Sequence, residues 1–179
     1  VICSDKTGTL TQNRMTLVKA YAATTKQLVS LDDEVPESIR ELIKLATLCT
    51  DGIVEIINGE EKHIGDPTET SIVAAALKLG LPKKNLIEHY PRLAEIPFDS
   101  ERKLMTTVNR IDNKNTVIVK GAPDVLLERC VECDIASATE ANKIMANEAL
   151  RVIAVGIKTI PDIPAELKPE ELEQGLKLV

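Results

Sequence analysis

Aromatic side chains are almost missing from this chain. It has no tryptophan, and Tyr21, Tyr90 and Phe98 are its only aromatics in 179 residues. A core built from this sequence must be aliphatic, so the single phenylalanine becomes a candidate for a task other than packing. Clustered basic charge is missing too. Twenty-two Lys and Arg face 28 Asp and Glu, a net charge of −6, which excludes the footprint of a nucleic-acid binder and disfavours anionic lipid. No apolar run approaches the roughly 18 residues of a spanning helix. The opening residues are charged by Asp5 and do not read as a signal peptide. Of the four cysteines, Cys130 and Cys133 form one C-x-x-C without a second pair or a His-x-x-x-His partner, so reduced thiols are expected rather than zinc. His63 and His89 stand alone and are expected at the surface. Neither a P-loop nor a G-x-G-x-x-G turn is present, so no glycine loop cradles phosphate in those ways.

What is present reads as alternating short elements. Val1 to Ser4 is a short apolar strand before a polar glycine turn, and Met15 to Thr24 has strand-like composition. Ile39, Leu42, Ile43, Ala46 and Cys49 recur at helical spacing within Pro36 to Thr50. Asn58-Gly59 is a strong hairpin signal between Ile53–Ile57 and Glu60–Ile64. Asp66-Pro67-Thr68-Glu69 supplies a cap, an N-terminal proline and an acidic third position for a helix running to about Lys78, closed by Gly80. Strands are predicted at Leu93–Pro97, Leu104–Asn109 and Thr116–Lys120, with a turn at 112–115. Helices follow at Pro123–Cys130 and Ser137–Leu150, then a strand at Arg151–Lys158. The tail from Pro161 reads as a surface connection with one helical turn. Hairpin-joined strands mixed with helices predict an α+β domain, its largely antiparallel sheet flanked by helices.

The stretch with chemistry in it is Asp5-Lys6-Thr7-Gly8-Thr9-Leu10-Thr11. An aspartate stands at the carboxyl end of an apolar strand, where open α/β sheets place their ligands. Its carboxylate is ionised at neutral pH and needs no general base to act as a nucleophile. The turn amides and hydroxyls can hold phosphate oxygens, and Mg²⁺ favours a carboxylate with a carbonyl. A plain strand-to-turn built from good turn formers is the alternative.

The seven-residue string resembles the phosphorylation signature of the P-type cation-transporting ATPases. Gly65-Asp66-Pro67-Thr68-Glu69, Phe98-Asp99-Ser100-Glu101-Arg102-Lys103, Lys120-Gly121-Ala122-Pro123 and Leu150-Arg151-Val152-Ile153-Ala154 resemble that family's nucleotide-domain motifs, in the family's order. The resemblance implies that residues 1–14 are a strand, loop and hinge of a phosphorylation domain, and that 15–179 are a nucleotide-binding domain with one further strand beyond Val179. It implies ATP and Mg²⁺ as cofactors. Asp5 is then the phosphate acceptor and a Mg²⁺ ligand, and Thr7 offers its carbonyl to Mg²⁺ and its hydroxyl to phosphate. Phe98 stacks on adenine, Glu69 faces its amino edge, Lys103, Lys120 and Gly121 line the pocket, and Arg151 meets the phosphates. The partners implied are the phosphorylation, actuator and transmembrane domains of one polypeptide, this portion being cytoplasmic and touching neither nucleic acid nor membrane. No His-Pro pair of the heavy-metal members is present, and Lys120 to Pro123 with Cys130 suggests a Ca²⁺-type pump.

Each role has a structural rival. Glu69 completes a capping box, Phe98 belongs to the core, and Lys103, Lys120 and Arg151 are ordinary surface or strand charges. Two other functions also compete: a free-standing ATP-binding or regulatory module, and a phosphatase of the haloacid dehalogenase type. The phosphatase reading is weakened because its usual second aspartate is replaced by Thr7.

Overall fold

The structure, a computed structural model, describes residues 14–179. Asp5 and Thr7, and with them the expected phosphorylation motif and the strand expected before it, lie outside the described residues.

A six-stranded sheet organises the rest, in the order β5-β6-β7-β9-β10-β8. Strands β5 (Arg92–Asp99), β6 (Leu104–Ile111) and β7 (Lys114–Gly121) form an antiparallel meander. Strand β9 (Ala154–Ile160) pairs antiparallel with β7, β10 (Leu176–Leu178) pairs antiparallel with β9, and β8 (Cys130–Glu132) joins β10 in parallel. The β6–β7 turn has two residues, Asp112 and Asn113, both at positive φ (48° and 61°). This mirror-image turn matches the right-handed strand twist and suits Asp and Asn. The same logic closes the peripheral hairpin β3 (Ile53–Ile57)–β4 (Glu60–Ile64) at Asn58-Gly59.

Both faces of the sheet are covered, which is why β6 and β7 are buried almost throughout rather than on alternate residues. On one face, α1 (Glu37–Leu48), α2 (Pro67–Lys78) and α3 (Lys83–His89) press Leu45, Leu48, Ile72 and Leu86 against Met105, Ile118 and Val155. On the other, α4 (Pro123–Leu127), α5 (Ile135–Asn147) and α6 (Pro169–Leu172) bring Leu126, Ala138 and Leu172 onto Leu104, Val108, Val117 and Val119. A small hairpin, β1 (Lys19–Ala22)–β2 (Gln27–Ser30), packs Ala20 and Ala22 beside Ile39 and Ile43 of α1. The core is aliphatic, and the sheet is largely antiparallel with helices on both faces.

Several elements differ from the sequence reading. The strand expected at 151–158 begins three residues later and runs to Ile160. Of the strand-like stretch 15–24, only Lys19–Ala22 pairs. The helix expected to reach Cys130 stops at Leu127, and Cys130 starts β8. The tail does hold a helical turn, α6, but it also inserts β10, whose Leu176 and Leu178 are core residues. Helix α3 was not foreseen. His63 is half-buried beside Glu61 instead of standing at the surface, whereas His89 is exposed.

Candidate functional site

Helix α1 ends at Leu48, leaving carbonyls that no later turn can satisfy. Two cations from distant segments bind here: Arg92 takes the Leu48 carbonyl, and both hold carbonyls of the loop that follows. Arg92 donates through Nη2 to Leu48 O and Thr50 O, both at 3.0 Å, and through Nη1 to Asp51 and Glu95 at 2.7 and 2.6 Å. Lys83 donates to Thr50 O at 2.6 Å and Gly52 O at 2.9 Å. Positive charge at this end of a helix also opposes the negative pole of its dipole. Burial holds the Lys83 ammonium below its usual pKa, and the nearby Arg92 charge acts in the same direction.

Glu69 closes the same loop from the other side. Its Oε2 accepts from the amides of Asp51 (3.0 Å) and Gly52 (2.9 Å), and its Oε1 from Lys120 Nζ at 2.7 Å. Asp66 caps α2 by accepting from Thr68 N at 2.8 Å, but Glu69 sends its carboxylate to the loop and to Lys120 rather than back to the cap. The approach depends on glycine: a Cβ at Gly52 would lie 3.0 Å from both Glu69 Cβ and Thr70 N. Burial pushes the Asp66 carboxyl up, but hydrogen bonds from Thr68 and the Glu69 amide, with the Arg151 charge, bring it below the usual range. Arg151, exposed to solvent, lines a cavity together with Thr68 and Ser71 of α2.

Lys120 rises from β7, buried on both faces, with only 8% of its side chain exposed. Besides Glu69, its ammonium donates to Thr50 Oγ1 at 3.1 Å. Gly121 follows Lys120 at the end of β7. A Cβ there would stand 2.2 Å from Lys103 O and 2.6 Å from Leu104 Cδ2, so its bare α-carbon serves the close approach of β7 to the β5–β6 turn.

Phe98 is not in the core: 58% of it is exposed, near the end of β5, where the register with β6 shifts between Ile96 and Asp99. Such irregularities break the in–out alternation of a strand and re-aim a side chain. Lys103 ends the same turn at φ +58°, its exposed ammonium 3.7 Å from Asp124. Asp99 orders the turn by accepting from the amides of Glu101 and Arg102.

Register brings these pieces to one end of the sheet. Asp99 opposes Leu104, Met105 opposes Lys120, and Lys120 opposes Val155, so the end of β5, the start of β6, the end of β7 and the start of β9 are neighbours. Phe98, Lys103, Lys120 and, through α2, Glu69 share this end, with Arg151 three residues before β9. Phe98 and Lys120 are separated by two strand spacings, about 10 Å. An apolar cavity of about 290 Å³ lies to one side, lined by Leu17, Ile43, Ile72, Met145 and Leu178 as well as Arg151, but not by Phe98, Glu69, Lys103 or Lys120.

The groups fit an adenine nucleotide in kind: an exposed aromatic face, a carboxylate beside an ammonium, and further cations at the same sheet end. The metal is another matter. Its expected ligands, Asp5 and Thr7, lie outside the described residues, and among the described residues no three His, Cys, Asp or Glu side chains gather as a metal site. Sequence reasoning missed Lys83, Arg92 and the Thr50–Gly52 loop. Only Gly52, a glycine just past a helix, hinted at them.

Fold and site together define an α+β domain that gathers a carboxylate, several cations and an exposed aromatic at one end of a two-sided sheet. A family profile described as "P-type ATPase, cytoplasmic domain N" matches residues 38–179. A calcium-transporting ATPase of Listeria monocytogenes is 40% identical over 193 residues, an alignment covering 100% of this chain and 22% of that protein. Calcium-transporting ATPase 1 of Lactococcus lactis is 39% identical, with 93% of this chain and 20% of the relative covered. The cation-transporting ATPase pma1 of Synechocystis is 32% identical over 98% of the chain and 23% of its own length. The chain belongs to the P-type ATPase family, and residues 38–179 are its cytoplasmic domain N. It spans about a fifth of the length of the curated relatives it matches. No helix among the described residues is long and apolar enough to cross a membrane.

Proposed function

We propose that this chain is the ATP-binding part of an ATP-driven cation pump with Ca²⁺ as its cargo, set on the cytoplasmic side of the membrane. In the whole protein Asp5 would accept the γ-phosphoryl group, with Mg²⁺ held by Asp5 and the Thr7 carbonyl. The phosphorylation, actuator and transmembrane domains of the same polypeptide would complete the cycle. ATP supplies the phosphoryl group. This chain's own residues bind and orient the base: Phe98 offers a stacking face, Glu69 an acceptor for an exocyclic amine, Lys103 and Lys120 positive charge, and Arg151 a contact for phosphates. Gly121 contributes indirectly, by letting β7 lie against the turn that carries Lys103.

The observation that carries this reading is the exposure of Phe98. In a chain with three aromatics, the single phenylalanine stands 58% exposed at the end of β5, just before the turn that bears Lys103, at the sheet end where Lys120 emerges. Burial of that ring in a ligand would repay the cost of displaying it. A free-standing ATP-binding module would use the same residues, and the pump is preferred because the relatives of this chain carry transport names over their full lengths.

The test is an NMR titration of the 179-residue chain with ATP, with and without Mg²⁺. Shifts clustering at Phe98, Glu69, Lys103 and Lys120, largely independent of Mg²⁺, are expected. Shifts confined to the cavity beside Met145 and Leu178 would overturn the assignment.

A further inference from the structure

The turn from Phe98 to Lys103 carries two of the proposed nucleotide contacts, yet a turn of that length has little packing of its own to fix it. Asp99 closes it locally, and the Arg102 side chain adds a second restraint. The guanidinium donates through Nη2 to Pro97 O at 2.7 Å and to Leu104 O at 2.8 Å. Those are the carbonyls immediately before Phe98 and immediately after Lys103, so one side chain clips the two ends of the turn together. Both bonds leave one nitrogen, and the rigid guanidinium turns another, Nε, towards a different partner.

Arg102 is in turn held from the far end of the chain. Glu173, just past α6, is fully buried, with its Oε1 3.0 Å from Arg102 Nε and accepting from Thr106 Oγ1 at 2.7 Å. Its Oε2 lies 3.4 Å from Arg129 Nη1. A buried carboxylate is costly unless paired and hydrogen-bonded, and here two guanidiniums and a hydroxyl supply the partners. Backbone structure fixes where Glu173 stands: its amide donates to Pro169 O at 2.8 Å, and Leu176 N donates to Arg129 O at 3.0 Å as β10 begins. The C-terminal segment therefore reaches beneath the sheet and sets the guanidinium that sets the turn.

We infer that Glu173 is a positioning residue for the nucleotide site, acting through Arg102 on the Phe98–Lys103 turn. The inference rests on the nucleotide reading above for its effect on affinity, but not for its effect on the turn. Arg129 shares the carboxylate without touching the turn, which makes it the internal control.

The experiment compares the full 179-residue chain with Arg102→Lys, Glu173→Gln, Arg129→Lys and Phe98→Ala. Each is measured by calorimetric ATP titration, thermal denaturation and the NMR shifts of the Phe98 ring without ligand. Arg102→Lys keeps a cation, but its one nitrogen cannot stand both where Nη2 meets the two carbonyls and where Nε faces Glu173. It is expected to displace the Phe98 ring signals and weaken ATP binding about threefold to tenfold, the equivalent of one or two hydrogen bonds. Glu173→Gln keeps an acceptor for Thr106 and should act in the same direction, while Arg129→Lys should change neither the ring signals nor the affinity. If Glu173→Gln does not fold, Arg102→Lys decides. The inference is overturned if a folded Glu173→Gln chain or Arg102→Lys leaves the ring signals and affinity at their wild-type values, or if Arg129→Lys disturbs both as much. A wild-type chain that ignores ATP, or a Phe98→Ala chain that binds it unchanged, would refute the nucleotide reading instead. The ring shifts of ligand-free Arg102→Lys would still report on the positioning.

Discussion

Lys120 emerges from a strand buried on both faces, so its ammonium needs partners more than a surface lysine does. Glu69 and Thr50 provide them, and the loop amides of Asp51 and Gly52 share the carboxylate. The sequence placed Glu69 and Lys120 in one site through motif resemblance alone. Nothing in composition or spacing could say that the two side chains meet at 2.7 Å, because they lie 51 residues apart on different elements. Cys49 gives a residue-level prediction that is independent of function. Burial pushes its thiol up to about 11, against a weaker opposing pull from Lys120, and the sulfur lies 3.5 Å from both Met105 O and Ile118 O, which compete for its one proton. In the unfolded chain the thiol ionises near 8.5. Its contribution to stability is thus fully present below about pH 8.5 and is lost as pH rises towards about 11, because the unfolded state releases its proton first. Relative to Cys49→Ala, the wild type should lose about 3 kcal/mol across that window. Urea denaturation of both proteins at several pH values measures this, and parallel pH curves would count against a buried thiol.

At the scale of elements, legibility followed local signals. The β3–β4 hairpin was readable because Asn58-Gly59 can adopt positive φ at both positions. Helix α1 was readable from its apolar spacing. Helix α3 was not, since it buries only Leu86 and shows no repeating stripe. Strand β10 was missed because three residues in a tail rich in Pro and Glu carry no periodicity; they are a strand only because β8 and β9 flank them. The start of β9 was set too early by the apolar Val152-Ile153, which lies outside the ladder. The junction of β7 with the β5–β6 turn yields the next prediction. Gly121→Ala would push a methyl into Lys103 O and Leu104. A clash with backbone cannot be relieved by a rotamer change, so a destabilisation of about 3 kcal/mol or more is expected by chemical denaturation. A wild-type midpoint would mean that β7 has room to move away.

At the scale of the molecule, the chain spans about a fifth of the length of its relatives, and the proposal assigns it binding rather than turnover. In-line phosphoryl transfer depends on positioning and charge neutralisation, and lost positioning can cost about 7–11 kcal/mol of barrier. The chain alone is therefore expected to bind ATP without labelling itself. Incubation with γ-labelled ATP and Mg²⁺ followed by an acid quench checks this, and hydroxylamine-sensitive label that vanishes in Asp5→Asn would contradict it.

The central claim is that the exposed ring of Phe98 receives adenine. Base stacking on an aromatic contributes about 1–3 kcal/mol, so the dissociation constant for ATP, measured by calorimetry at fixed salt, is the most direct test. Phe98→Ala should raise that constant about tenfold or more while leaving the unfolding midpoint nearly unchanged, as befits a residue outside the core. An affinity equal to that of the wild type in a folded Phe98→Ala chain would contradict the account.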